Sequence, residues 1–176
     1  GINSLMSMFW ESWQEVSDNP DIQATRQSLV QVGEVISSQL DYMNEEISKI
    51  KYDVALSLDT ALSDVNYLSA QISELNIQIV GSEVGNNKAN DLRDQRDEVV
   101  KKLSELLDIT YIENNEGAYT VMLPDGHPLV DKTEFWTLSW ADNALKWNST
   151  NAKGITLSST IGKGSEVGGK IGGWLE

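Results

Sequence analysis

Residues 40–79 read LDYMNEEISKIKYDVALSLDTALSDVNYLSAQISELNIQI. Leu40, Met43, Ile47, Ile50, Val54, Leu58, Ala61, Val65, Leu68, Ile72, Leu75 and Ile79 recur in steps of three and four. That spacing is the apolar seam of a helix that packs lengthwise on other helices. Two consecutive steps of four, at Ile50-Val54-Leu58, make a local eleven-residue repeat that relaxes left-handed supercoiling. From Asp21 to Val80 there is no proline, and Gly33 is the only glycine. The spacing therefore predicts one helix over 21–80, roughly 90 Å long at the α-helical rise per residue. A rod of that length cannot cover its own seam.

The flanking segments supply partial cover. Ile2, Leu5, Met6, Phe9, Trp13 and Val16 form one stripe of a shorter helix over 2–17. Ser17-Asp18-Asn19-Pro20 then reads as a stop and restart. Asn19 is placed as a cap and Pro20 as the first helical residue, and Asp21 complements the helix dipole. After Ile79, Gly81 to Asn87 is a turn cluster. A third helix follows from about residue 88 to 107, with Leu92, Val99, Leu103 and Leu106 on its apolar face. Arg93–Asp97, Asp97–Lys101 and Glu98–Lys102 have the spacing of ion pairs on a solvated helix surface. The short turn folds this helix back antiparallel on the end of the long one. Neither short helix reaches all of residues 40–60, so Met43, Ile47, Ile50, Val54 and Leu58 are expected to form an uncovered assembly seam.

Beyond residue 108 the pattern changes. Ten of the 13 glycines follow Gly81, and the segments become short and rich in Thr, Trp and Asn. Strands are expected at Ile109–Ile112, Tyr119–Leu123, His127–Val130, Glu134–Trp140, Ala144–Trp147 and Ile155–Leu157, with turns at Asn114–Gly117, Pro124–Gly126 and Asp142-Asn143. The tail from Gly168 to Glu176 reads as a loop entering a further helix. The expected fold is α+β: long antiparallel helices in a coiled-coil-like bundle, followed by a small antiparallel β region. The boundaries expected are 1–108 for the helical bundle, 109–161 for the β region, and 162–176 for a Gly-rich linker into a returning helix. Gly1 in place of Met, and a last helix that is only beginning, suggest a fragment of a longer protein.

Composition narrows the function. Acidic residues number 27 against 13 basic ones, a formal net charge of −14. Such a surface repels nucleic-acid phosphates and anionic headgroups. There is no apolar run long enough to span a membrane. There is no cysteine and a single histidine, which removes thiolate metal sites, Cys nucleophiles and His pairs. Asp91, Asp94 and Asp97 share a helix side, but Arg93 and Arg96 interleave and no second acidic cluster faces them. They read as a solvated helix start and not as a metal site. His127, between Pro124 and Pro128, reads as an exposed turn histidine with no triad around it. The glycine run 162–170 lacks the spacing of a phosphate loop. Trp136 and Trp140 fall on one strand face, which fits a small β core better than a sugar platform. No catalytic, cofactor or metal site is expected.

One segment is distinctive. Ala89-Asn90-Asp91-Leu92-Arg93-Asp94-Gln95-Arg96-Asp97-Glu98, continuing to Leu103 and Leu106, resembles the "NDL-x-DQRD" helix of the hook-associated protein 1 family, the hook–filament junction proteins of the bacterial flagellum. Asn19-Pro20 with Arg26-Gln27, the stretch Leu68–Ile79, and Gly126–Val130 followed by Gly172-Gly173-Trp174-Leu175 resemble three further family segments in the same order. The strands from Thr133 to Ser159 have no counterpart in that resemblance. The resemblance singles out Leu92, Asp94, Gln95, Arg96, Asp97, Leu103 and Leu106. It implies a structural subunit that is exported by the flagellar type III apparatus without a cleaved signal peptide and assembles outside the cell. The partners implied are other copies, the hook protein, a second junction protein, and an export chaperone bound through termini outside this sequence. Two other readings remain: a type III secretion tip or translocator protein built on long helices, and an extracellular carbohydrate-binding module using the Trp-rich strands.

Overall fold

The computed structural model describes residues 1–83, 88–142, 144–150, 154–161 and 167–175. The chain forms four helices and seven strands among these residues: α1 (Ile2–Asp18), α2 (Gln23–Ser82), α3 (Asn90–Leu106), β1 (Thr110–Glu113), β2 (Tyr119–Met122), β3 (Pro128–Asp131), β4 (Glu134–Phe135), β5 (Thr137–Ala141), β6 (Ala144–Thr150), β7 (Thr156–Thr160) and α4 (Gly169–Leu175). Two compact units result, Gly1–Asp53 and Val54–Glu176, and α2 contributes to both.

The first unit holds α1 and the start of α2. Ile2, Leu5, Phe9 and Val16 of α1 are half-buried, and so are Leu29, Val32, Gly33 and Ile36 of α2. Both sets follow helical steps, so each helix turns one stripe inward. Met6 and Trp13, expected on the same stripe, are exposed at its edge. Pro20 is not the first helical residue. The Ile22 N–H bonds to Asn19 O at 3.3 Å, which closes a turn through Pro20 and Asp21 before the helix begins at Gln23. The Thr25 hydroxyl donates back to Ile22 O at 2.8 Å, using a carbonyl at the helix entrance.

The second unit is built on the rest of α2. The helix runs through Gly81 and Ser82, past the point where the glycine suggested a turn; residues 84–87 of that cluster lie outside the described residues. α3 lies antiparallel to α2: Glu83 meets Arg93, and Asn76 meets Arg96. Leu58, Ala61, Leu62, Val65, Leu68 and Ile72 of α2 form one core with Val100, Leu103 and Leu107, and with Val121, Leu129, Leu138, Leu145 and Ile171 from the strands and α4.

The strands form two antiparallel sheets and not one continuous run of hairpins. One has the order β1-β2-β3-β4 and the other β5-β6-β7. The stretch 134–140, expected as a single strand, is divided at Trp136. Phe135 pairs with Val130 in the first sheet, whereas Thr137 pairs with Asn148 in the second. Leu138 is buried, while Trp136, Thr137, Ser139 and Trp140 are all half-buried. The turn expected at Asp142-Asn143 includes Asn143, and the glycine run includes residues 162–166; these lie outside the described residues.

α4 begins where the chain returns to the end of α3. The Asp108 N–H donates to Val167 O at 2.9 Å. Gly169 has φ of +60°, and a Cβ there would come within 2.6 Å of the Leu107 backbone, so only glycine admits this approach.

Leu103 sits at the centre of this core with no exposure. Leu103→Asp should lower stability by about 4 kcal/mol, because an unpaired charge enters an apolar interface. Thermal melting within a few degrees of wild type would refute the α2–α3 packing.

Candidate functional site

Asn66, Ser69, Ser73 and Asn76 lie in steps of three, four and three along α2, beside the apolar seam. A polar stripe at that spacing is costly to bury unless each group finds a partner. Three of the four find theirs on the backbone of the strands. Asn66 accepts from the Leu138 N–H at 2.7 Å and donates to Leu138 O at 2.9 Å, holding β5. Ser73 donates to Thr133 O at 2.8 Å, holding the β3–β4 turn. Asn76 donates to Tyr119 O at 2.8 Å and Lys132 O at 2.7 Å, and its Oδ1 accepts from the Tyr119 N–H at 2.9 Å.

The remaining lone pair of Asn76 receives a guanidinium. Arg96 is 0% exposed. Its Nη1 donates to Asn76 Oδ1 at 2.9 Å and to Gly117 O at 2.6 Å. Its Cζ lies 3.4 Å from the centre of the Tyr119 ring, a desolvated cation–π contact. Nε and Nη2 find no hydrogen-bond partner among the described residues. Burial pulls the Arg96 pKa below its ordinary value, opposed by Tyr119. The Tyr119 hydroxyl donates to Asp97 Oδ1 at 2.8 Å. Burial, then that bond, raises the Tyr119 pKa.

A second arginine closes the outer edge. Arg93 Nε and Nη2 fork onto Glu83 at 2.6 and 2.7 Å, and Nη1 reaches Glu113 at 2.6 Å. Glu83 also accepts from the Ala89 N–H at 2.9 Å, ahead of the α3 N-terminus. These contacts, Arg93 first and Ala89 second, hold the Glu83 carboxyl at about 2, below its ordinary 4.5. Gly117 is required here. Its φ is +87°, and a Cβ would stand 2.8 Å from Arg93 Nη2.

The residues singled out in the sequence thus divide. Arg96 and Leu103 are buried, and Leu92 and Leu106 are half-buried. Asp97 is occupied by Tyr119, while Asp94 and Gln95 remain exposed. Asp91, Asp94, Asp97 and Glu98 are exposed, as a solvated helix start requires, but they do not form the expected row of ion pairs. Arg93 turns to Glu83 and Glu113 and not to Asp97; of the expected pairs, Glu98–Lys102 is present at 3.6 Å. Among the described residues no three acidic or imidazole side chains converge as a metal would need.

On α2, Met43, Ile47 and Ile50 are 40%, 50% and 59% exposed, and Val54 is half-buried. Leu58, expected to be uncovered with them, is 2% exposed and belongs to the core of the second unit. It shares that core with residues of α3, the strands and α4.

His127 is not an exposed turn residue. It is half-buried, its Nε2 lies 3.1 Å from Ser159 Oγ, and its ring lies 5.3 Å from that of Trp147. Asp125 Oδ2 is 2.9 Å from Nδ1 but off the direction of a hydrogen bond, so this Ser-His-Asp group lacks the alignment a triad needs. It clasps the two sheets, as does Trp147, whose Nε1 donates to Pro128 O at 2.7 Å. Trp136 stacks on Trp147 at 5.8 Å and donates to Ser149.

Removing the Asn66 amide should free the second sheet selectively. Asn66→Ala is expected to cost about 1–3 kcal/mol, the range for stranding buried backbone groups. Amide exchange should accelerate in β5 more than in β2. Uniform acceleration across both sheets would contradict this division of labour. The depressed Glu83 pKa sets a pH dependence. Its stabilising contribution is complete above the ordinary value and is lost as pH falls from about 4.5 towards 2. The stability difference between wild type and Glu83→Gln should therefore be constant near neutrality and shrink across that acid window. A difference that does not change with pH would exclude the contact.

No helix among the described residues is long and apolar enough to cross a membrane. The family described as the flagellar hook-associated protein FlgK helical domain matches residues 1–176. Flagellar hook-associated protein 1 of Bacillus subtilis is 29% identical over 171 residues, covering 92% of this chain and 34% of that protein. The protein of the same name from Salmonella typhimurium is 26% identical over 132 residues, covering 73% of this chain and 24% of its own length. The solved structure of the flagellar hook junction protein FlgK from Burkholderia pseudomallei superposes with a TM-score of 0.87 at 28% identity, over 99% of this chain and 32% of that one. This chain therefore spans about a quarter to a third of the length of these relatives. With the whole of its length matched, the chain belongs to the family of the flagellar hook-associated protein FlgK helical domain.

Proposed function

We propose that this chain is the helical part of a hook–filament junction subunit, and that it works by assembly and not by catalysis. The observation that carries the reading is the exposed row Met43, Ile47 and Ile50 on α2, within a chain of this family. An apolar stripe on an isolated helix surface is unstable in water and is covered in the working protein. The full-length relatives are about three times as long, which leaves ample chain to cover it.

The cover we assign is a helix continuing from α4. α4 starts beside Leu106 and Leu107, and Trp174 lines a shallow groove with Leu56, Thr60 and Ala61 of α2. A continuation of that helix would return along α2 over Val54, Ile50, Ile47 and Met43. The partners are then other copies of the subunit and the neighbouring axial proteins, the hook protein and the second junction protein. An export chaperone would engage the termini. The subunit is exported through the type III apparatus and sits outside the cell, with no cofactor, metal or nucleic acid in its role.

Two experiments test this. The full-length gene should restore filament growth in a strain lacking its junction protein; a failure despite export of the protein would remove the assembly reading. In vitro, residues 1–176 should self-associate weakly and bind an apolar dye. Ile47→Lys with Ile50→Lys should abolish both, as should extension of the chain through the returning helix. A strictly monomeric, dye-silent 1–176 would show that the row needs no cover.

A further inference from the structure

The inner face of α3 is fully engaged by Arg96, Val100 and Leu103, and Arg93 and Asp97 are held at its margin. Among the described residues its other side has no such partners. Asp94, Gln95 and Glu98 are exposed there and, with α2, border an open groove of about 620 Å³. Half-buried Leu75 and Val99 supply its apolar lining, and Glu74, Asp94 and Glu98 its charge. Lys102 is the single cation among the lining residues and is already paired with Glu98 at 3.6 Å. Trp174 lines a different groove, at Leu56, Thr60 and Ala61, so α4 does not fill this one.

We propose that this groove seats an amphipathic helix of a partner subunit, one whose apolar stripe is flanked by Lys or Arg. A channel between two antiparallel helices fits a third helix, with apolar side chains entering every three or four residues. The acidic rim selects cationic flanks and rejects acidic ones. The apolar lining sets a second condition, because net charge alone would attract any polycation to a protein of charge −14. The proposal also gives a role to Asp94 and Gln95, the two members of the DQRD segment with no hydrogen-bond or ion-pair partner among the described residues. It rests on the assembly reading and extends it to a second surface, separate from the row at Met43.

The test uses the full-length protein and two labelled helical peptides of identical Leu and Lys composition. In one, leucines form a single stripe flanked by lysines; in the other, the order is scrambled. At physiological salt the striped peptide should bind at least tenfold more tightly, by fluorescence anisotropy. Glu74→Lys with Glu98→Lys, both exposed positions, should weaken it at least tenfold and confer binding of a matching peptide with Glu flanks. Val99→Ala should weaken the striped peptide, and Met43→Lys should leave it unchanged. Equal binding of the two Lys peptides, no binding at all, or loss only with Met43→Lys would overturn the proposal. Filament rescue with a failed peptide test would leave the assembly reading standing and remove the groove alone.

Discussion

Arg96 against Asn76 is the contact on which the second unit depends. A fully buried guanidinium is costly unless the protein itself compensates its charge. Here Asn76 and the Gly117 carbonyl accept from Nη1, and the Tyr119 ring faces the charge. Each belongs to a different element: α2, the β1–β2 loop, and β2. Asn76 cannot satisfy Arg96 without also being in register with Tyr119 and Lys132. The antiparallel alignment of α2 and α3 and the seating of the first sheet are thus fixed by one residue pair. An apolar interface alone would permit neighbouring registers at small cost.

The same logic extends along α2. Ser73 takes the β3–β4 turn and Asn66 takes β5, so the helix serves as a ruler that spaces two separate sheets by hydrogen bonds to their backbones. Apolar contacts supply the bulk of the stabilisation, and the polar stripe supplies position. Hydrogen bonds to a backbone fix direction and spacing, whereas burial by itself is indifferent to direction.

The helices, their order and most strands were legible because their signals are local. The seam from Leu40 to Ile79 needs only a period, and the hairpin turns at Asn114–Gly117 and Pro124–Gly126 need only turn chemistry. What escaped was the polar pattern beside the seam. Asn66, Ser69, Ser73 and Asn76 carry a helical period of their own, and that regularity was the available sign that this side of α2 is buried. Arg96 lay inside a run of charges that reads as solvated, because a buried arginine is recognisable only once its distant acceptors are known. His127 reads as exposed for a similar reason: Ser159 and Trp147 reach it from the other sheet. The break at Trp136 left the alternation of apolar residues intact and so gave no local sign.

The most direct test of the account is a double-mutant cycle between Asn76 and Arg96, using Asn76→Ala and Arg96→Met and measuring unfolding free energy by denaturant titration. If the pair locks α2, α3 and β2 together, each single change should be severe and the double change far less than additive, with a coupling energy above about 1.5 kcal/mol. Additive losses, with coupling near zero, would mean that the apolar core alone sets the register and that the buried arginine is incidental to the fold.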